Sequence, residues 1–134
     1  MKVKHQGTAK HYRTVWFDKS RNKVRLIEQR LLPHQFKIVS TVDYVETARA
    51  ITNMIVRGAG AIGATAAYGL AQGARAFQGQ GIKTFEKHIT KVFNMLAKAR
   101  PTAVDPINAM RSIISDMNGR TVVERQSQAL ALAE

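Results

Sequence analysis

The sequence predicts an α+β fold: a small N-terminal antiparallel β-meander followed by a domain of four to five helices. Three observations carry this. Short apolar runs separated by polar turn residues occupy residues 14–40, the apolar period lengthens from two to about 3.6 from Thr41 onward, and Gly79, Gly81, Pro101 and Gly119 punctuate the helical stretch. With 134 residues, 45% of them hydrophobic, the chain has the length of one domain and enough apolar content for a core. The expected divisions are a flexible basic tail over residues 1–13, the meander over 14–40 and the helical domain over 41–134.

Residues 1–11 are basic and polar and predict a frayed segment. Organisation begins at Thr14. Val15-Trp16-Phe17, the polar stretch from Asp18 to Lys23, and Val24-Arg25-Leu26-Ile27 give strand, turn and strand; Leu31-Leu32-Pro33 interrupts, and Phe36-Lys37-Ile38-Val39 alternates as a third strand.

The first helix is expected to take Thr41 as its N-cap, with Val42, Val45, Ala48, Ile51 and Ile55 on one face and Asp43 and Glu46 favoured by the helix dipole in the first turn. The second, Ala61 to Phe77, is poor in charge and is predicted to be the central, most buried helix, ended by Gly79 and Gly81. The third runs from Thr84 to Ala99, with Phe85, Ile89, Val92, Phe93 and Leu96 inside and Lys83, Lys87, Lys91 and Lys98 outside, and stops at Arg100-Pro101-Thr102. The fourth starts near Asp105-Pro106, continues through Ile107, Met110, Ile113, Ile114 and Met117, and is expected to be capped by Asn118-Gly119. The fifth begins at Thr121 and reaches Glu134 with no stop signal, which predicts a truncated chain, a cleaved product or a split gene, an ordinary terminal helix being the alternative.

The chain has no cysteine, which excludes a disulfide framework, a thiolate metal site and a cysteine nucleophile. No apolar run reaches the length of a membrane span and the basic N-terminus lacks the apolar core of a signal peptide, so a cytoplasmic location away from the membrane is expected. The net charge of +12 is concentrated at the start. Residues 1–37 carry ten Lys and Arg against Asp18 and Glu28 alone. Non-specific nucleic-acid binding, an anionic substrate and an acidic partner segment all agree with this charge. Base-stacking aromatics are not interleaved with the cations, which counts against nucleic acid. No His, Asp and Glu group into a metal-ligand pattern, and no cofactor is expected. His5 and His11 in the tail, His34 in a turn and His88 on the polar side of the third helix are all read as solvated.

The candidate site is the stretch from Met54 to Gly69, where Arg57 follows an apolar run and opens a glycine-spaced turn into a small-residue helix. Backbone N–H groups at such a helix start, the helix dipole and a planar guanidinium together suit a phosphate or carboxylate. Gly58 and Gly60 permit positive φ and close approach of a ligand to the backbone. The spacing matches neither a P-loop nor, lacking a βαβ unit, a dinucleotide fingerprint. Tight helix packing by Gly60, Gly63, Ala64, Ala66, Ala67, Gly69 and Ala71 is the competing reading, and both stay open. Arg100 is a second candidate. Pro101 disfavours helix at Arg100, which leaves its side chain at a helix break, where it is either a dipole-favoured cation or the second half of a phosphate clamp.

Val56-Arg57-Gly58-Ala59, Ala61-Ile62-Gly63, Ala66-Ala67-Tyr68-Gly69 and Arg100-Pro101-Thr102-Ala103-Val104 resemble the N-terminal portion of the methylthioribose-1-phosphate isomerase family. Its superfamily also holds ribose-1,5-bisphosphate isomerases and the regulatory subunits of the eukaryotic translation guanine-nucleotide exchange factor. Arg25 to Pro33, after a Trp-bearing strand, resembles the isomerase branch in particular, and the resemblance spans about residues 14–134.

The resemblance implies an aldose-to-ketose isomerisation, 5-methylthioribose 1-phosphate to 5-methylthioribulose 1-phosphate, in methionine salvage, without metal or nucleotide. It implies that Arg57, Gly58, Ala59 and Arg100 contact the sugar 1-phosphate, and that the complete protein is a homodimer. It also implies a C-terminal Rossmann-like domain that carries the family's catalytic cysteine and aspartate. This chain holds no such pair, so no catalytic residue is assigned in it, and it is expected to be inactive unless that domain or a separate chain completes it. Two departures bear on the site: Gly60 stands where the family usually has proline, and Asp105 where asparagine is common. A regulatory or nucleic-acid-binding role in the exchange-factor-like branch is the alternative.

Overall fold

Residues 2–5, 8–11, 15–27, 37–53, 59–99 and 105–133 are described by a computed structural model. Strands β1 (Lys2–His5) and β2 (Thr8–His11) pair antiparallel, Lys2 opposite His11 and His5 opposite Thr8. A hairpin thus stands where a frayed tail was expected. The register leaves only Gln6-Gly7 between the strands, and a glycine in a two-residue connection is a hairpin signal that the charge of the segment hides.

The meander forms as expected. β3 (Val15–Asp18), β4 (Lys23–Ile27) and β5 (Ile38–Thr41) lie antiparallel in that order, with Val15 opposite Leu26 and Leu26 opposite Val39. β5 starts two residues later than the alternation suggested. Val15, Val24 and Leu26 turn to one side and pack with Ala50 and Tyr68, so one face of this small sheet is closed by helices.

Five helices follow: α1 (Tyr44–Thr52), α2 (Ala59–Ala76), α3 (Ile82–Ala99), α4 (Asp105–Asp116) and α5 (Val122–Ala133). Thr41 is not the N-cap of α1. It closes β5, buried, and Asp43 caps the helix by accepting from the Glu46 N–H at 2.8 Å while the Glu46 carboxylate accepts from the Val42 N–H at 3.1 Å. The reciprocal pair satisfies two donors that a helix start leaves open, and it displaces Val42, half exposed, from the apolar face. The same device starts α5: Thr121 Oγ1 accepts from the Glu124 N–H and Glu124 accepts from the Arg120 N–H.

α2 is the central helix, as its low charge predicted. It packs against all four other helices and against β3 and β4. Ile62, Ala66, Ala67, Leu70, Ala71 and Ala74 are buried, and Phe85, Ile89, Val92 and Leu96 of α3 complete the same core with Met110 and Ile113 of α4 and Leu130 of α5. A Cβ placed on Gly69 would lie 2.9 Å from Thr47 Cγ2, and one on Gly73 would lie 2.7 Å from Val92 Cγ2. The packing reading of the small residues therefore holds for this part of α2. Gly119 likewise does not act as a C-cap in the left-handed region, because among the described glycines only Gly79 has positive φ. A Cβ on Gly119 would meet Glu124 Cβ at 2.6 Å, so glycine there lets the chain pass the start of α5.

Gly73 gives a test of this packing. Alanine is favoured over glycine by about 1 kcal/mol in a helix interior, whereas forcing atoms into a filled core costs about 1–3 kcal/mol. Two methyl groups of fully buried Val92 lie within 2.8 Å of the new Cβ, so the clash wins. Gly73→Ala is expected to lower the unfolding free energy in urea by about 1–2 kcal/mol, and the same change in a Val92→Ala background to raise it. A Gly73→Ala chain more stable than the parent contradicts this.

Candidate functional site

Of the predicted site residues, Arg57, Gly58 and Arg100 lie outside the described residues. Ala59 is the first residue of α2, and Gly60, the second, is helical rather than part of the turn. α2 runs for 18 residues, and its first turn carries no acidic side chain to compete for the open N–H groups. One contact bears on whether the two candidate segments lie near each other. Thr52 Oγ1, at the end of α1, donates to the carbonyl of Ala99, at the end of α3, at 3.1 Å. The chain therefore leaves α1 towards Arg57 and leaves α3 towards Arg100 from points one hydrogen bond apart. It resumes in α2 and α4, which pack along each other.

At the opposite end of α2, roughly 24 Å from Ala59 at 1.5 Å per residue, lies a polar cluster that sequence reasoning missed. Asn22, in the left-handed region at φ 53°, closes the turn between β3 and β4. Its Nδ2 donates to the Gln72 carbonyl at 3.1 Å, its carbonyl accepts from Gln72 Nε2 at 3.0 Å, and its Oδ1 accepts from Arg75 at 3.1 Å. Gln72 is fully buried and also donates to the Thr41 carbonyl at 2.8 Å. Its Oε1 accepts from the Thr47 hydroxyl at 2.6 Å, and the Thr41 hydroxyl lies 2.6 Å from that of Thr47 and 3.3 Å from the Val24 carbonyl. Two signals were available: an asparagine at a turn position, where its tolerance of the left-handed region is useful, and a lone amide in a run of small apolar residues.

Arg75 borders a cleft of about 360 Å³ between the turn and α5, lined also by Lys19, Gln126, Ser127 and Leu130. Its guanidinium donates to Asn22 and to the Lys19 carbonyl at 3.1 Å and lies 5.4 Å above the Phe17 ring, which stacks on Tyr68. Gln126 donates to the carbonyls of Ala74 and Phe77 at the end of α2, the former also accepting from the Phe77 N–H. These groups are spent on holding the turn, α2 and α5 together. The cleft contains none of the predicted site residues.

His88 is not solvated. Its Nε2 lies 2.8 Å from the Gly73 carbonyl, which can only accept, so that nitrogen carries the proton. Its ring is enclosed by Tyr44 and Phe77. Position 88 flanks the buried arc of α3 rather than opposing it, which is why its face was misassigned. Asp18 anchors the other side of the turn. The Ser20 hydroxyl first, then the Arg21 N–H and the Arg25 guanidinium at 3.2 Å, hold its carboxyl below the ordinary value.

Two outcomes follow. Gln72→Leu removes the donor to the carbonyls of Asn22 and Thr41, while the Thr47 hydroxyl keeps the Asp43 carbonyl at 3.1 Å. The change is expected to cost about 2 kcal/mol in denaturant unfolding, since each buried group left without its partner costs about 1–3 kcal/mol; a cost below about 0.5 kcal/mol contradicts the arrangement. Because the folded-state pKa of Asp18 is depressed, its contribution to stability is present above the ordinary carboxylate range and is lost as the pH falls through it. The Tm deficit of Asp18→Asn is therefore expected to shrink as the pH is lowered from about 7 to about 3, and a deficit that grows on acidification contradicts the assignment.

With this geometry in hand, the chain can be set beside known proteins. The model of the Initiation factor 2 subunit family matches residues 55–133. The chain is 48% identical over 94 residues to methylthioribose-1-phosphate isomerase from Crocosphaera subtropica, covering 70% of this chain and 26% of that protein. It is 36% identical over 124 residues to the protein of the same name from Escherichia coli, covering 92% and 32%. Among solved structures it resembles 5-methylthioribose 1-phosphate isomerase from Pyrococcus horikoshii, with a TM-score of 0.83 at 34% identity, covering 92% of this chain and 35% of that one. The delta subunit of translation initiation factor eIF-2B from A. fulgidus is similar as well, with a TM-score of 0.79 at 31% identity, covering 92% and 36%. The chain thus spans about a third of the length of these relatives. A sheet and helix order shared across more than nine tenths of the chain, and a family match that begins two residues before Arg57, lead to one conclusion: the chain belongs to the Initiation factor 2 subunit family.

Proposed function

We propose that this chain is the substrate-gripping portion of an aldose–ketose isomerase that converts 5-methylthioribose 1-phosphate to 5-methylthioribulose 1-phosphate. Arg57 and Arg100 hold the phosphate as paired guanidiniums, and the backbone of Gly58 and Ala59 offers N–H groups at the start of α2. The observation that carries this reading is the hydrogen bond from Thr52 to Ala99, which starts the two arginine-bearing segments side by side. Five residues of chain reach at most roughly 17 Å, so neither arginine strays far from that junction. The names borne by the relatives, and their identity to this chain across this region, support the isomerase branch over the exchange-factor-like branch.

Gripping is not converting. Isomerisation needs a group that moves the C2 hydrogen and a partner that serves the C1 hydroxyl, and the chain has no cysteine for either task. In this reading a Rossmann-like domain or a separate chain supplies them, and the working unit is a cytoplasmic homodimer of the complete protein.

Calorimetry with 5-methylthioribose 1-phosphate, alongside a turnover assay, tests the reading. The 134-residue chain is expected to bind the sugar phosphate without converting it, and Arg57→Ala or Arg100→Ala to weaken binding by at least about tenfold, the equivalent of one charge-assisted hydrogen bond of about 1.5–3 kcal/mol. Adding a chain that carries the family's second domain is expected to restore turnover. No binding by the chain, or no turnover by the completed pair, overturns the proposal.

A further inference from the structure

We propose that the outer face of α3 binds a single strand of nucleic acid along its phosphate backbone. The argument does not rest on the isomerase reading. Phe85, Ile89, Val92 and Leu96 bury one face of α3, and Lys83, Lys87, Lys91 and Lys98 stand exposed on the other. At about 3.6 residues per turn these lysines form one row, with neighbours four residues apart separated by about 6 Å and a total length of roughly 22 Å. That spacing is of the order of the distance between successive phosphates in one strand. Lys87, Lys91 and Lys98 line a single surface groove with Thr90, Asn94 and Met95. Hydroxyl and amide groups set between ammonium groups are the side chains that usually position phosphates.

Among the described residues no carboxylate forms an ion pair with this row. The one carboxylate of α3, Glu86, lies at its edge and is held by Arg125 at 3.0 Å. The whole chain is strongly cationic, with a net charge of +12. A duplex presents two backbones and calls for two lines of cations. On the neighbouring helix α4, Arg111 is seated over the Phe93 ring at 5.9 Å. One line of lysines fits one strand. The absence of an open aromatic platform in the groove implies contact through phosphates, without preference for base sequence. The basic residues of the N-terminal third, singled out by the sequence, play no part in this row.

Fluorescence anisotropy with a labelled oligouridylate of about 15 nucleotides, titrated at several salt concentrations, tests the proposal on the full 134-residue chain. Four lysines on four phosphates give a slope of log K against log salt of roughly −3, and the triple variant Lys87→Gln, Lys91→Gln, Lys98→Gln is expected to flatten it to roughly −1. A control with the same loss of charge, Lys2→Gln, Lys4→Gln, Lys10→Gln, is expected to keep the parental slope. The substituted side chains of α3 are exposed, so the fold is retained, which unchanged circular dichroism verifies. The proposal is overturned if the oligonucleotide does not bind at low salt, if both triple variants lose binding equally, or if a polyglutamate of the same charge binds as tightly as the oligonucleotide.

Discussion

Every other helix of this domain touches α2, and two strands of the meander do so as well. That arrangement rests on glycine where α1 and α3 come closest to α2. At Gly69 the helix meets both Thr47 of α1 and Leu96 of α3, and at Gly73 it meets Val92, at separations that leave no room for a methyl group. Small side chains surrender apolar area of their own, and the neighbours recover it: Phe85, Ile89, Val92, Leu96, Met110 and Leu130 bring their bulk to a surface that α2 keeps nearly bare. α2 itself adds Ile62, Tyr68 and Leu70 to the core and is a narrow axle at its two glycines.

A second tie fixes the meander to that axle. Gln72 is a fully buried amide on α2, and its donors go to the turn and last strand of the meander and its oxygen to α1. A buried amide of this kind gains little net stability from each bond, but leaving its partners open is expensive, so the network selects one docking of sheet on helices over others. Arg75, one turn further, repeats the tie from the surface through Asn22 and Lys19. The two ends of α2 are thereby given different tasks. Its C-terminal end is committed to structure, while its N-terminal end carries no carboxylate in its first turn.

Much of this could be read in the sequence, because the relevant signals are local. The three strands of the meander, the central place of the charge-poor helix and the two faces of α3 follow from periodicity within a single element. What escaped depends on partners distant in sequence. Thr41 has the chemistry of an N-cap, yet Asp43 and Glu46 form a better reciprocal pair and free Thr41 for the buried network. Gly119 looks like a helix terminator, but what demands glycine there is the approach of Glu124. His88 lies at the margin of a helix face, and only Tyr44 and Phe77, both outside α3, decide that it is enclosed. Of the candidate site, a helix start soon after Arg57 was legible, although α2 begins at Ala59 and not at Ala61. The proximity of the segments after Thr52 and Ala99 was not, since 47 residues separate the hydrogen-bonded pair.

The account stands on α2 having one structural end and one ligand-facing end. Backbone amide chemical shifts, followed by nuclear magnetic resonance as 5-methylthioribose 1-phosphate is added to the labelled chain, test this most directly. The account predicts that the shifts concentrate at residues 57–60 and 99–101, with the amides of Gln72, Arg75 and Gln126 unmoved. Shifts centred on the cleft beside Arg75, or spread along the lysine row of α3 with none at the start of α2, would contradict it.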